Sequence, residues 1–165
     1  MTITALPTCS PKIKGKRDNL KNQSRIFQVE STLFEVNAAK LCEVSPAIKK
    51  IVSKNMETHS PIVLHGHTSQ KFENFLWALS VDSIPPPLNE KTLERLLDVE
   101  ELSKRYSVRE LQVRTESDLL ATITEGTNPA ILACSSRSLV RMLQIVLRVH
   151  NNTLFSFLIQ MWAWR

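Results

Sequence analysis

Arg25-Ile26-Phe27-Gln28-Val29-Glu30, followed by Ser31 and then Thr32-Leu33-Phe34-Glu35-Val36-Asn37, is the stretch from which the fold of this chain can be read. Both runs alternate and are rich in β-prone residues, the pattern of half-buried strands. Glu30-Ser31 is short enough to reverse the chain between them. The pair reads as a β-hairpin, although it lacks the Asn-Gly signal that most hairpin turns carry.

Downstream the period changes from two to 3.6. A short helix begins at Ala38 to Leu41. Ser45-Pro46 starts another, with Ser as cap and Pro at the first helical position. Ala47, Ile48, Ile51 and Val52 give that helix its apolar face, and Lys49, Lys50 and Lys54 lie off it. Pro61-Ile62-Val63-Leu64-His65 is a short buried strand. Thr68 or Ser69 then caps a helix in which Phe72, Phe75, Leu76 and Leu79 stand at i, i+3, i+4 and i+7, one helical stripe. Pro85-Pro86-Pro87 enforces an extended loop. Asn89, or else Thr92, caps a helix with Leu93, Leu96, Leu97, Leu102 and Tyr106 on its buried side, and Lys104-Arg105 suit its C-terminal end. Val108 and Leu111 lead into a further helix through Leu119, Leu120 and Ile123, which Gly126 and Asn128-Pro129 end. Strands come first and helices accumulate later, so the class is α+β: a short N-terminal hairpin plus a third strand, packed on a cluster of helices.

Upstream, residues 1–23 are polar and basic, with Lys12, Lys14, Lys16, Arg17 and Lys21 against Asp18 alone. They read as a disordered tail. Lys12-Ile13-Lys14-Gly15-Lys16-Arg17 has the composition of a solvated segment or of a nuclear-import signal. After Gly126 there is no acid, while Arg137, Arg141, Arg148 and Arg165 are basic, so the formal net charge of +5 sits at the two ends and the middle is net acidic. The chain divides accordingly into 1–23, a domain over 24–125, and an amphipathic and apolar helical extension over 126–165. In that extension Leu139, Met142, Leu143, Val146 and Leu147 form a stripe, and 154–164 are dense in Phe, Trp, Leu and Ile. So much apolar surface must pack back on the domain, mediate self-association, or meet a partner or membrane surface. The run is too short to span a bilayer, which takes roughly 20 apolar residues as a helix.

Chemistry-bearing motifs are sparse. With 3 Gly in 165 residues, a phosphate-cradling loop has little to be built from, and no Gly-x-Ser-x-Gly, Walker or GxGxxG sequence occurs. His59, His65 and His67 lack the further ligands a metal site needs. Cys9, Cys42 and Cys134 show no CxxC spacing, and the N-terminus lacks a signal-peptide pattern, so reduced thiols and an intracellular address, cytoplasmic or nuclear, are expected. Glu100-Glu101 are adjacent on a helix, face apart, and read as solvated surface. No catalytic, cofactor-binding or metal residue is assigned, and the chain is expected not to be an enzyme.

The order and residues together resemble the BTB/POZ family, most closely BTB domains of fungal proteins. The family's second strand reads roughly Leu-Phe-x-Val-His, matched by Leu33-Phe34-Glu35-Val36-Asn37, with Leu41 and Ser45-Pro46-Ala47-Ile48 following in step. Its third strand is matched by Pro61-Ile62-Val63-Leu64. Its next helix is matched by Phe72-Glu73-Asn74-Phe75-Leu76 with Leu79, and the helix after by Leu102-Ser103-Lys104-Arg105-Tyr106-Ser107-Val108. Asn37 stands for the usual His, Ser80 for Tyr and Ser103 for Ala. The resemblance covers about 24–123. It implies a BTB-like core of Leu33, Phe34, Val36, Leu41, Ile48, Ile62, Leu64, Phe72, Phe75, Leu76, Leu79, Leu93, Leu96, Leu102, Tyr106 and Val108. It also implies a non-catalytic adaptor or oligomerisation domain whose partners are proteins: a second copy, or a cullin-type ubiquitin-ligase scaffold. The alternative reading is a nucleic-acid-associated regulator in which the basic tails touch phosphates and the BTB core dimerises.

Overall fold

The computed structural model describes residues 24–55, 60–81, 89–124 and 129–163. The basic segment 1–23, His59, the Pro85-Pro86-Pro87 loop and the Gly126 to Asn128 break lie outside these residues. Strands β1 (Ser24–Val29) and β2 (Thr32–Asn37) pair antiparallel from Ser24↔Asn37 to Val29↔Thr32, leaving Glu30 and Ser31 as the turn. Glu30 has φ 53°, unusual for a residue with a side chain. Its carboxylate is held from outside the hairpin, accepting from the backbone N–H of Ser69 at 2.9 Å and from Ser69 Oγ at 3.1 Å. A tertiary tie therefore supports the turn where Gly would otherwise be preferred.

Helices α1 (Ala38–Val44) and α2 (Pro46–Lys54) follow, then β3 (Ile62–Leu64), which pairs parallel with β1 to give the sheet order β2-β1-β3. The helices α3 (Ser69–Ser80), α4 (Glu90–Arg105), α5 (Arg109–Thr124), α6 (Pro129–Ala133), α7 (Ser136–Arg148) and α8 (Asn152–Ala163) complete a mostly helical α+β architecture. Helix starts are set locally. Asn37 accepts from Lys40 N–H, Thr68 from Lys71, Asn89 from Thr92 and Ser135 from Ser138. Each satisfies an N–H that the first turn leaves without a partner. Asn37 is thus the cap of α1. The C-terminal end of α3 is closed by Arg114 of α5, whose guanidinium donates to the carbonyls of Ala78 at 2.6 Å and Val81 at 2.9 Å.

Ser45 does two jobs. Its hydroxyl oxygen accepts from Ile48 N–H at 3.0 Å, and its O–H donates to the Tyr106 carbonyl at 2.6 Å, joining α2 to the α4–α5 corner inside the protein. Ser45→Ala is expected to cost about 2–3 kcal/mol, a lost cap plus a stranded buried carbonyl. Urea denaturation checks this against Ser53→Ala, an exposed serine expected to change stability by less than about 0.5 kcal/mol.

Two hydrophobic cores result. The first joins the sheet to α1–α4 and the start of α5 through Phe27, Val29, Leu41, Ile48, Ile62, Leu64, Phe72, Phe75, Leu102, Tyr106, Val108 and Leu111. Phe34, Val36, Leu76 and Leu79 pack against it while half-buried. Phe72 is its centre, with ring centroids 6.2 Å from Phe27, 5.1 Å from Phe34 and 6.1 Å from Phe75. The second core joins Leu93, Leu96 and Leu97 of α4 and Leu119 and Ile123 of α5 to Ile131, Leu139, Met142, Leu143, Ile145, Val146, Leu154 and Leu158. One end of α4 thus serves each core.

Two expectations change. Leu33 is not a core residue: it is 59% exposed. Neighbours on a strand point to opposite faces, and Phe34, opposite Phe27 and against Phe72, takes the inward position. Leu93 and Leu96 are buried as expected, in the second core with residues of α5 to α8. Within the α7 stripe, Leu139, Met142, Leu143 and Val146 are buried while Leu147 is 54% exposed. A boundary drawn between 125 and 126 runs through the second core.

Candidate functional site

Strand registers decide which side chains share the outer face of the sheet. Gln28 on β1 is opposite Leu33 on β2 and Val63 on β3, so these three form one row across all strands. Ile26, two residues along β1, and its partner Glu35 occupy the next row. Since Phe27, Val29, Phe34, Ile62 and Leu64 point into the core, the alternate positions point away from it. Leu33 is 59% exposed, Val63 48% and Ile26 41%. The result is an apolar patch with polar Gln28 and Glu35 among it, on a surface flanked by two edge strands. Ile26 and Val63 were not singled out from sequence. The signal was present in the alternation along β1, but which phase faces out depends on the register.

Several titratable side chains of α3, α4, α5 and α7 are engaged with one another. Glu100, read above as solvated, is buried at 7% exposure, and Arg148 donates to it and to Glu116, both at 2.6 Å. Bonding to Glu100 raises the pKa of the Arg148 guanidinium further above its ordinary value. Arg141 bridges Asp98 at 3.0 Å and Glu101 at 3.1 Å, and lies 3.6 Å from Glu94. Lys71 of α3 reaches Glu101 at 2.6 Å. Burial alone would raise the pKa of Glu101, but Lys71 and Arg141 outweigh it and hold the carboxyl below its ordinary value. Ser138 bonds the Glu94 carboxylate, and Asn74 donates to Asp98 at 3.0 Å. Two arginines that give the C-terminal segment its basic character therefore fasten α7 to α4 and α5.

Of the histidine cluster, His67 is buried and its Nε2 lies 3.1 Å from Tyr106 Oη, whereas His65 is exposed. Burial pushes the Tyr106 hydroxyl up to about 12. Among the described residues no group of three or more His, Cys, Asp or Glu side chains is placed to hold a metal ion. Burial pushes the Cys42 thiol up, with Lys49 offsetting only part of this, which works against a reactive thiolate. No helix among the described residues is long and apolar enough to cross a membrane. On α8, Phe155, Ile159 and Trp162 stand at i, i+4 and i+7, with Trp162 52% exposed and Ile159 36%. The chain matches no family model, and no curated protein matches it.

Proposed function

We propose that this chain is a protein–protein interaction module of BTB/POZ type, acting by burial of apolar surface rather than by making bonds. The observation that carries this reading is the outer face of the sheet, where Leu33, Val63 and Ile26 stand exposed on one face, with Gln28 between Leu33 and Val63. Apolar side chains grouped on a rigid sheet favour association, because removing them from water is favourable by about 25 cal/mol per Å². The element order of hairpin, two helices, third strand and three helices agrees with what the resemblance of 24–123 implies. So does the Ser45 cap at the family's serine position.

The first partner proposed is a second copy of the chain. Light scattering over a micromolar concentration series tests it. The native chain is expected to gain mass toward a dimer, and Leu33→Asp with Val63→Asp to stay monomeric with an unchanged thermal melt. A native chain that stays monomeric throughout would remove self-association from the reading. A cullin-type scaffold is the second partner class, and calorimetric titration with a cullin N-terminal domain addresses it.

A further inference from the structure

The corner between β3 and α3 is held by a side chain from α4. Gly66 has φ +83°, a backbone conformation that favours Gly, and a Cβ added there would lie 2.8 Å from Arg105 Nη2, so the guanidinium would have to move. The Arg105 guanidinium donates to the His65 carbonyl at 2.6 Å and to the Gly66 carbonyl at 3.2 Å. His67 follows, 9% exposed, with its ring centroid 5.8 Å from that of Phe72 and 5.7 Å from that of Tyr106. Thr68 and Ser69 then open α3, with Glu30 holding Ser69. The strand before the corner is an edge strand of 3 residues, bonded to β1 on one side only. Few main-chain bonds hold this corner, so the side chains that plug it matter more.

We propose that His67 is an acid-sensitive latch: neutral, it holds the β3–α3 corner closed against Tyr106 and Phe72; protonated, it leaves that pocket, and the corner opens while the second core stays folded. The inference does not rest on the interaction reading above. The surroundings favour the neutral ring. Facing it are Arg105 and Glu101 of α4 and the hydroxyl of Tyr106 at its C-cap, Lys71 of α3, and, from its own loop, the His65 carbonyl. Arg105 and Lys71 repel an imidazolium. Glu101 attracts one, but its carboxylate is already bonded by Lys71 and Arg141. Tyr106 stays protonated throughout the acid range. Burial is the largest influence lowering the His67 pKa below the ordinary 6.5, with the Arg105 charge next, while the His65 carbonyl and Glu101 pull it back only in part.

The direction of the pH dependence follows. Above pH 6.5 open and closed forms both carry a neutral ring, and the closed corner has its full stability. Below 6.5 the open form takes up a proton that the closed form does not. Closure then weakens by up to about tenfold per pH unit until the lowered pKa of the closed state is reached.

Hydrogen exchange of the full chain at pH 7.5 and 5.5, corrected for intrinsic rates, reads the latch directly. Peptides over 62–69 are expected to exchange severalfold faster at pH 5.5, with peptides over 139–146 unchanged. His65→Gln should keep this response and His67→Gln should abolish it. Should His67→Gln fail to fold, an NMR titration of the native histidines decides, with one ring expected to titrate below 6.5. The proposal is overturned if 139–146 loses protection together with 62–69, if His67→Gln responds to pH like the native chain, or if every histidine titrates at 6.5 or above.

Discussion

Deletion of residues 126–165 is expected to leave a chain that no longer melts cooperatively and that aggregates at micromolar concentration. Leu93, Leu96, Leu97, Leu119 and Ile123 are each at most 1% exposed, and their second-core partners beyond α5 all come from the deleted segment. Exposing a buried aliphatic side chain costs about 1.5–3 kcal/mol, so together these residues put at most about 8–15 kcal/mol at risk. That matches the whole net stability of an ordinary domain, about 5–15 kcal/mol. The deletion also strips Arg148 from buried Glu100, and Arg141 from Asp98. A buried carboxylate left without its partner is strongly destabilising. Circular dichroism melts and light scattering measure both effects. A truncated chain that is monomeric and melts within a few degrees of the full chain would show that the second core is dispensable.

Phe75→Ala is expected to cost about 3–5 kcal/mol, read as a fall in the urea midpoint. Phe75 is 0% exposed, and its ring centroid lies 6.1 Å from Phe72 and 5.5 Å from Tyr106. Its removal opens a cavity bounded by rings that are themselves held by several elements, so collapse around it is restricted and the cost lies in the upper part of the range. Val113→Ala on α5 is the matched control. It also shortens an apolar side chain, but one that is 58% exposed, and should change stability by less than about 0.5 kcal/mol. A loss below about 1 kcal/mol for Phe75→Ala would contradict the packing of α3.

Where the determinants are local, the sequence was legible. Ser45, Thr68 and Asn89 start their helices because each side-chain oxygen reaches an N–H only three residues on. The spacing of Phe72 and Phe75 selects the buried face of α3, and both are 0% exposed. Leu33 was misread because the family pattern names Leu and Phe side by side without saying which of two opposite faces each takes. Glu100 was misread because its cation, Arg148, is far along the chain, and helical spacing carries no information about a partner on another element.

The sequence by itself therefore determined the elements from β1 to α5, their order and the α+β class, since hydrophobic period, caps and turn residues act over a few residues. The tertiary structure alone decided the rest. It placed 130–158 against α4 and α5, because an apolar stripe states that it must be buried but not by what. It turned two arginines of a basic segment into internal braces. It gathered Ile26, Leu33 and Val63 on one outer face, because strand register is a relation between distant residues. It also enclosed His67 with Tyr106, from separate elements, where burial rather than residue type governs the proton.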